Sequence, residues 1–240
     1  LMVFLILTPV IGLKIGITSA DPKILGGGIA PDGAITYQVS LQNVGSHFCG
    51  GSIIDPKWVI TAAHCTIKYV VVIFAVGINK LSSKGKHYTP DKVIIHEKYD
   101  EKLLDNDISL VKIDPGIELN SRVQPVRLPT ADTKPGDTLT LTGWGRTSVS
   151  RNIQSFFLIE CKLKYTFFTQ PILSSHLCTR APPREGSCQG DSGGPLVRNG
   201  SLAAVVSWGP KSCGHSLVFP DVNTRIYSFI DWIKEKMNNN

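Results

Sequence analysis

One pattern limits this chain of 240 residues more than any other. Short apolar or alternating runs recur along it, parted by Gly, Pro, Asn and Asp, and a helical period shows only near the C-terminus. Residues 37–41 alternate. Residues 51–54 and 57–61 flank Asp55-Pro56. Residues 69–76 are apolar throughout, as in a strand buried on both faces. Residues 138–142 and 196–208 follow, the second broken by Asn199-Gly200, a strong hairpin signal. Strands at this spacing without intervening helices predict an all-β sandwich or barrel. A helix is expected over 223–236, where Ile226, Phe229, Ile230 and Ile233 fall at i, i+3, i+4 and i+7. No repeat or composition break marks a linker, so two barrels, if formed, pack as one unit.

Composition removes several function classes. Charged residues make up 18% of the chain, below the roughly 25% of ordinary soluble domains, which argues against disorder. The net charge of +6 is spread along the chain. Nucleic-acid binding would need a basic stripe, so no nucleic-acid partner is expected. Six cysteines fit a few disulfides formed in an oxidising compartment. Residues 1–13 are uncharged, but the run is shorter than a spanning helix needs and Pro9 interrupts it. With Thr18-Ser19-Ala20 behind it, the segment reads as a secretory signal over 1–20, its own start missing because Leu1 precedes Met2. A short membrane anchor is the alternative. The expected location is secreted and extracellular, with no membrane partner.

Three local motifs carry chemistry together. Gly190-Asp191-Ser192-Gly193-Gly194-Pro195 frames a serine with glycines, where backbone N–H groups can approach a substrate oxygen. Thr61-Ala62-Ala63-His64-Cys65 places a histidine after a strand. Asn106-Asp107-Ile108-Ser109-Leu110 puts a carboxylate at the mouth of an apolar strand. A serine hydroxyl is a weak nucleophile until a base takes its proton, and the base needs a third group to hold its tautomer. Alone, His64 reads as a core histidine, Asp107 as a strand-edge residue and Ser192 as a turn serine. The serine motif is too specific to arise by chance.

In the order His, Asp, Ser, these motifs resemble the chymotrypsin family of serine endopeptidases, the reference case for this chemistry. The resemblance runs from Ile24 to about Met237. It is most similar to secreted insect chymotrypsins, through His47-Phe48-Cys49-Gly50-Gly51, Leu141-Thr142-Gly143-Trp144-Gly145 and Ser207-Trp208-Gly209. It implies two packed six-stranded antiparallel Greek-key barrels with a C-terminal helix and a cleft between the barrels. In the implied mechanism Ser192 attacks the peptide carbonyl and forms an acyl-enzyme. His64 takes the serine proton and passes it to the leaving amine, while Asp107 orients His64. The N–H groups of Gly190 and Ser192 form the oxyanion hole. Lys23 before Ile24-Leu25-Gly26-Gly27 resembles a zymogen junction, which makes residues 21–23 a short propeptide and 24–240 the protease domain. The freed ammonium of Ile24 would pair with Asp191. His47 matches the position that holds Asp191 before cleavage; the alternative is an ordinary core histidine.

Specificity follows from the same resemblance. Gly186 stands at the base of the primary pocket, where trypsin-like members have Asp. Ser207, Trp208 and Gly209 would form a wall, with Gly209 leaving the entrance open. Asp221 falls where many members have glycine, and its carboxylate would attract Lys or Arg or be solvated by water. The expectation is large apolar or aromatic P1 residues with tolerance for basic ones. The alternatives are a trypsin-like preference through Asp221, or a non-catalytic homologue that only binds. Asn223 replaces a more usual aromatic near the pocket.

The resemblance pairs Cys49 with Cys65 and Cys188 with Cys213. Cys161 would then pair with Cys178, although it comes early in the chain; the alternative leaves Cys178 unpaired. No cofactor and no metal are expected. Residues 80–92 lack the paired acids of calcium-binding members, and the Cys and His residues lack zinc-like spacing. Asn199-Gly200-Ser201 is a glycosylation sequon or simply a hairpin turn. The expected partners are protein and peptide substrates, an activating protease that cuts after Lys23, and protein inhibitors, for a chain that acts as a monomer.

Overall fold

A computed structural model describes residues 28–68, 72–83, 85–145, 152–159, 171–182, 186–210, 213 and 220–240, with 152–159 as backbone only. The alternating runs become strands of two antiparallel sheets. The first sheet holds β1 (Gln38–Asn43), β2 (Ser46–Asp55), β3 (Trp58–Thr61), β4 (Ile73–Val76), β5 (Lys86–Tyr88), β6 (Lys92–Ile95) and β7 (Ser109–Lys112). Its strand order is β5-β4-β1-β2-β3-β7-β6. The second holds β8 (Thr138–Gly143), β9 (Asn152–Ile159), β10 (His176–Arg180), β11 (Pro195–Arg198), β12 (Ser201–Trp208) and β13 (Asp221–Arg225). It closes into a barrel in the order β10-β13-β12-β11-β8-β9.

The two-barrel expectation holds, with one refinement of strand count. The first sheet has seven strands rather than six, and β5 and β6 lie on its opposite edges. Only residues 89–91 separate these two strands. Pro90 has no N–H to give a ladder, so one bent strand divides in two there. Its first half pairs with β4 and its second with β7, so the chain itself closes the curl.

The helix expected over 223–236 begins later. Asn223 pairs with Leu177 on β10 and Val206 on β12, so residues 223–225 complete the second barrel. Tertiary pairing overrides the local pattern here. A 3-10 turn (Ile226–Phe229) follows and leads into an α-helix, Ile230–Asn239. The apolar face was read correctly: Ile226, Phe229 and Ile233 are buried in the same cluster as Ile60, Phe74 and Leu110 of the first sheet. That cluster also takes Val197, Leu202 and Val205 from the outside of the second barrel. The second barrel has its own interior of Leu139, Leu141, Leu177, Leu196 and Val206. The turn at Asn199 and Gly200 has φ of +48° and +74°, and the sequon asparagine is exposed at its tip.

The barrels meet where glycine permits it. A Cβ on Gly50 of β2 would lie 2.8 Å from the Cα of Gly194, closer than atoms can approach. Gly50 N–H donates to the Ser192 carbonyl at 2.7 Å, so this contact sets the height of the serine loop above the first sheet. Truncating Ile60, which has no exposed surface, to Ala should cost about 2–5 kcal/mol in denaturant unfolding. The same measurement on Val93→Ala, on the half-exposed edge strand β6, should change by less than about 1 kcal/mol.

Candidate active site

His64 rides on a single helical turn, α1 (Ala63–Thr66), directly after β3. Asp107 arrives from the other side, at the entry to β7. The loop before it turns sharply, with φ of +49° at Leu104 and +50° at Asn106. Asn tolerates this conformation and Leu does so only under strain, here just before the carboxylate. The Asn106 side chain donates to the Lys98 carbonyl at 2.9 Å and fixes the turn.

The two residues meet twice. The His64 amide donates to Asp107 Oδ1 at 2.9 Å, and Nδ1 lies 2.7 Å from Oδ2. A carboxylate accepts only, so Nδ1 carries the proton and Nε2 of the neutral ring keeps its lone pair. Asp107 has no exposed surface, while the His64 side chain is 25% exposed. Two further contacts come from the second barrel. Ser207 Oγ donates to Asp107 Oδ2 at 2.5 Å, and Thr224 Oγ1 donates to the Asp107 carbonyl at 2.8 Å. Thr224 escaped sequence reasoning, and Ser207 was read only as pocket wall. Neither position carries a local signal, because each acts across the barrel interface.

The serine loop stands against the same turn. A Cβ on Gly193 would clash with Thr61 Oγ1 at 2.2 Å and the Gly50 carbonyl at 2.5 Å, with Cys65 Sγ at 3.2 Å. Gly193 therefore lets Ser192 sit beside α1. Among the described residues the Ser192 hydroxyl makes no hydrogen bond to His64. Such contacts are often long until substrate closes them. In the loop, the amides of Asp191, Gly193 and Gly194 donate to the carbonyls of Cys188, Val206 and Asp191. Among the described residues the fold does not use the amides of Gly190 and Ser192, the two expected oxyanion donors. Gly190 holds φ at +97°, a conformation that suits glycine.

Asp191 is fully buried, and its carboxylate accepts the amides of Gly145 at 2.8 Å and Cys188 at 3.0 Å. Its oxygens fill the space where side chains at 143 and 145 would go; a Cβ at either glycine would come within 2.4 Å of the carboxyl group. Burial raises its pKa from 3.8 to about 6, against the pull of the two amides. His47 does not touch this carboxylate. Its ring lies between Ser40 Oγ at 2.8 Å and the Gly190 carbonyl at 2.9 Å, a use that neither sequence reading foresaw.

The Asp221 carboxylate reaches the neighbourhood of Gly186. Its Oδ2 accepts the Ser187 amide at 3.1 Å. A Cβ on Gly209 would meet Oδ1 at 2.7 Å, so the space beside Gly209 holds this carboxylate. The sequence reading had left that space to the substrate. Burial raises the Asp221 pKa to about 7, the Ser187 hydrogen bonds lower it, and the charge of Asp191 raises it further. Asn223 turns away under β10, donating to the Leu177 carbonyl and Thr179 Oγ1, both at 3.1 Å.

Cys49–Cys65 and Cys188–Cys213 are bonded, with Cα atoms 6.2 and 5.3 Å apart. Cys178 is also in a disulfide, which removes the unpaired alternative, while Cys161 lies outside the described residues. Lys23, Ile24 and the segment 1–20 lie outside them too. Cys49, Cys65 and His64 cluster closely, but the two sulfurs are bonded to each other and offer no thiolate to a metal.

Two curled sheets with an ionisable cleft between them define a class, the two-barrel serine proteases. The family model described as Trypsin matches residues 24–233, and the chain belongs to that family. It is 41% identical to Chymotrypsin-2 of Vespa crabro over 226 residues, covering 88% of this chain and 99% of the relative. It is 37% identical to Trypsin I-P1 of Gallus gallus over the whole of both chains. Among solved structures, the mouse brain serine protease neuropsin superposes with a TM-score of 0.83 at 28% identity, over 89% of this chain and all of that one. The chain is thus a serine endopeptidase.

The buried Asp191 has a thermodynamic consequence. Its folded pKa near 6 lies above the ordinary 3.8, so the folded, uncleaved chain binds this proton more tightly than the unfolded one. The favourable term is complete below about pH 4 and is lost as pH rises to about 6, roughly 3 kcal/mol in all. Urea unfolding should show Asp191→Asn gaining stability relative to the parent across that window. A constant difference would mean that the ionised carboxylate is not desolvated.

Proposed function

We propose that this chain is a secreted, chymotrypsin-like endopeptidase made as a zymogen, with His64, Asp107 and Ser192 as its catalytic residues. The observation that carries the reading is the double contact of a fully buried carboxylate with one histidine, Asp107 to the His64 amide and to Nδ1. That contact leaves Nε2 as a base beside a glycine-framed serine. Ser192 attacks the substrate carbonyl as His64 takes its proton. The oxyanion is held by the amides of Gly190 and Ser192. His64 then protonates the departing amine, and water hydrolyses the acyl-enzyme by the reverse transfer. Asp107, which accepts from the His64 amide, His64 Nδ1 and the Ser207 hydroxyl, stabilises the imidazolium. A non-catalytic homologue would have no need of the Gly190 and Ser192 amides left unused by the fold among the described residues, or of a histidine held in one tautomer.

Activation follows from the second carboxylate. Among the described residues Asp191 meets only amide donors, and an ionised carboxylate buried that way favours any cation that can reach it. Cleavage after Lys23 supplies one in the ammonium of Ile24, which would hold the serine loop in its working shape. A signal over 1–20 and a propeptide over 21–23 fit this route. Among the described residues no helix is long and apolar enough to cross a membrane. An activating protease and protein inhibitors of the cleft are the partners this reading implies.

At the primary pocket, Gly186 with Asp221 supports large apolar P1 residues with basic ones admitted. The relatives' names, chymotrypsin and trypsin alike, are consistent with either side of that choice.

Four measurements test the reading. A serine-directed titrant should label Ser192 only after cleavage at Lys23, and no label on the cleaved chain would sink it. Ser192→Ala should lower kcat by about 10⁶, the scale found when a nucleophilic serine is removed. Asp107→Asn should lower kcat by about 10⁴, as measured in this same family. Asp221 is neutral below its pKa near 7 and ionised above it. The ratio of kcat/KM for Arg over Phe at P1 should therefore rise from pH 6 to pH 8. Asp221→Asn should flatten that rise and favour Phe.

A further inference from the structure

A second carboxylate, Asp105, stands two residues before the one that holds His64. Between them the chain turns at Asn106, whose φ of +50° decides where Asp107 goes. The Asp105 carboxylate spans that rotation. Its Oδ1 accepts the Asn106 amide at 2.8 Å, on the near side of the N–Cα bond. Its Oδ2 accepts the Asn106 side-chain amide at 2.9 Å, on the far side. The Asp105 carbonyl accepts the Asp100 amide at 3.0 Å, which fixes the same peptide plane from its other edge. Beyond Asn106 the chain closes at once. The Ile108 amide donates back to the Asn106 carbonyl at 2.8 Å and folds the backbone tightly around Asp107. A swing at Asn106 would therefore carry Asp107 with it.

The second barrel holds this carboxylate in place. Ser175, immediately before β10, donates its hydroxyl to Asp105 Oδ1 at 2.8 Å, and its own carbonyl accepts the Arg225 amide of β13 at 2.8 Å. Next to it, His176 Nε2 lies 3.4 Å from the Leu104 carbonyl, and Nδ1 accepts the Leu173 amide at 3.3 Å, so the neutral ring gives its one proton to the turn. His176 is paired in register with Thr224, whose hydroxyl donates to the Asp107 carbonyl at 2.8 Å. One paired edge of the second barrel thus meets both ends of residues 104–107. We propose that Asp105, hooked by Ser175, is a positioning residue for Asp107: it locks the left-handed rotation at Asn106 and so aims the Asp107 carboxylate at His64. The proposal rests on the peptidase reading above. A residue other than glycine keeps a left-handed φ only where its surroundings over-determine it, and Leu104 at +49° adds a second one to the same turn. Without the Asp105 carboxylate, the rotation at Asn106 loses a hydrogen bond on each side and is free to relax. A displacement of about 1 Å in a reacting group can cost roughly 10²-fold in rate.

The test compares Asp105→Ala, Ser175→Ala, Ser175→Thr and the double variant Asp105→Ala with Ser175→Ala against the parent, all activated by cleavage after Lys23. Kinetics on a peptide amide with Phe at P1 give kcat and KM, and indole binding reports the primary pocket alone. The proton between His64 Nδ1 and Asp107 Oδ2 is followed by NMR, because its resonance reads the strength of that bond. Asp105→Ala should lose roughly 10–100-fold in kcat, well short of the 10⁴ or so for Asp107→Asn, with KM within about threefold and indole binding unchanged. Its Nδ1 proton should move upfield. Ser175→Ala should lose about 3–10-fold in kcat, and Ser175→Thr, which keeps the hydroxyl, should recover most of it. The double variant should fall no further than Asp105→Ala, since Ser175 acts through that carboxylate. A kcat for Asp105→Ala within about twofold of the parent overturns the proposal. So does an unmoved Nδ1 proton, or a fall in indole binding equal to the fall in kcat, which marks a merely structural role. Losses that simply multiply in the double variant also overturn it, because Ser175 then acts elsewhere. A parental kcat in Ser175→Ala overturns it whether or not Asp105→Ala folds, and leaves the charge of Asp105 as the cause of any loss on its removal. A parent that no serine-directed titrant labels refutes the peptidase reading instead, so the two failures are separable.

Discussion

Asp107 is a carboxylate with no exposed surface, and the working shape of the molecule depends on satisfying it. An ionised carboxylate taken out of water costs several kcal/mol unless hydrogen bonds replace the lost hydration. Here the replacements come from both barrels. The His64 amide and ring belong to the first, and the Ser207 hydroxyl belongs to the second. Neither barrel alone can bury this charge. Docking the barrels and orienting the histidine are therefore one event, and His64 cannot be well placed in a molecule whose halves have come apart.

The same rule produces different results at the other two buried carboxylates. Asp191 has two amides, and Asp221 has Ser187. Burial raises the pKa of both toward neutrality, against the pull of these donors. Each occupies room that glycine vacates, Gly143 and Gly145 for the first and Gly209 for the second. Part of the glycine pattern around the cleft is thus a cast of these carboxylates. A buried carboxylate held short of full satisfaction is sensitive to any cation that can reach it.

Much of this was legible in the residue order, and the failures have physical causes. The Asn199-Gly200 turn, the strands on either side and the glycine-framed serine are local facts, settled by φ/ψ preference and alternation. The helix start was misplaced because the 3.6 period covers Ile226 to Ile233, while Asn223 to Arg225 answer to partners on β10 and β12. The strand count slipped at Pro90, where one missing N–H divides a strand. Ser207 at Asp107 and His47 at Gly190 left no trace in the sequence, since each pairs residues about a hundred or more apart.

By itself the sequence pointed to an all-β chain and to the serine, histidine and aspartate motifs, because alternation and motif encode local geometry, while the pairings Cys49–Cys65 and Cys188–Cys213 followed from the family resemblance. Only the tertiary structure decided which hydroxyls complete the Asp107 shell, what fills the space beside Gly209, and that His47 grips a carbonyl rather than a carboxylate. These outcomes depend on distances across the barrel interface. Such distances are set by how closely two sheets pack, a quantity that no stretch of sequence carries alone.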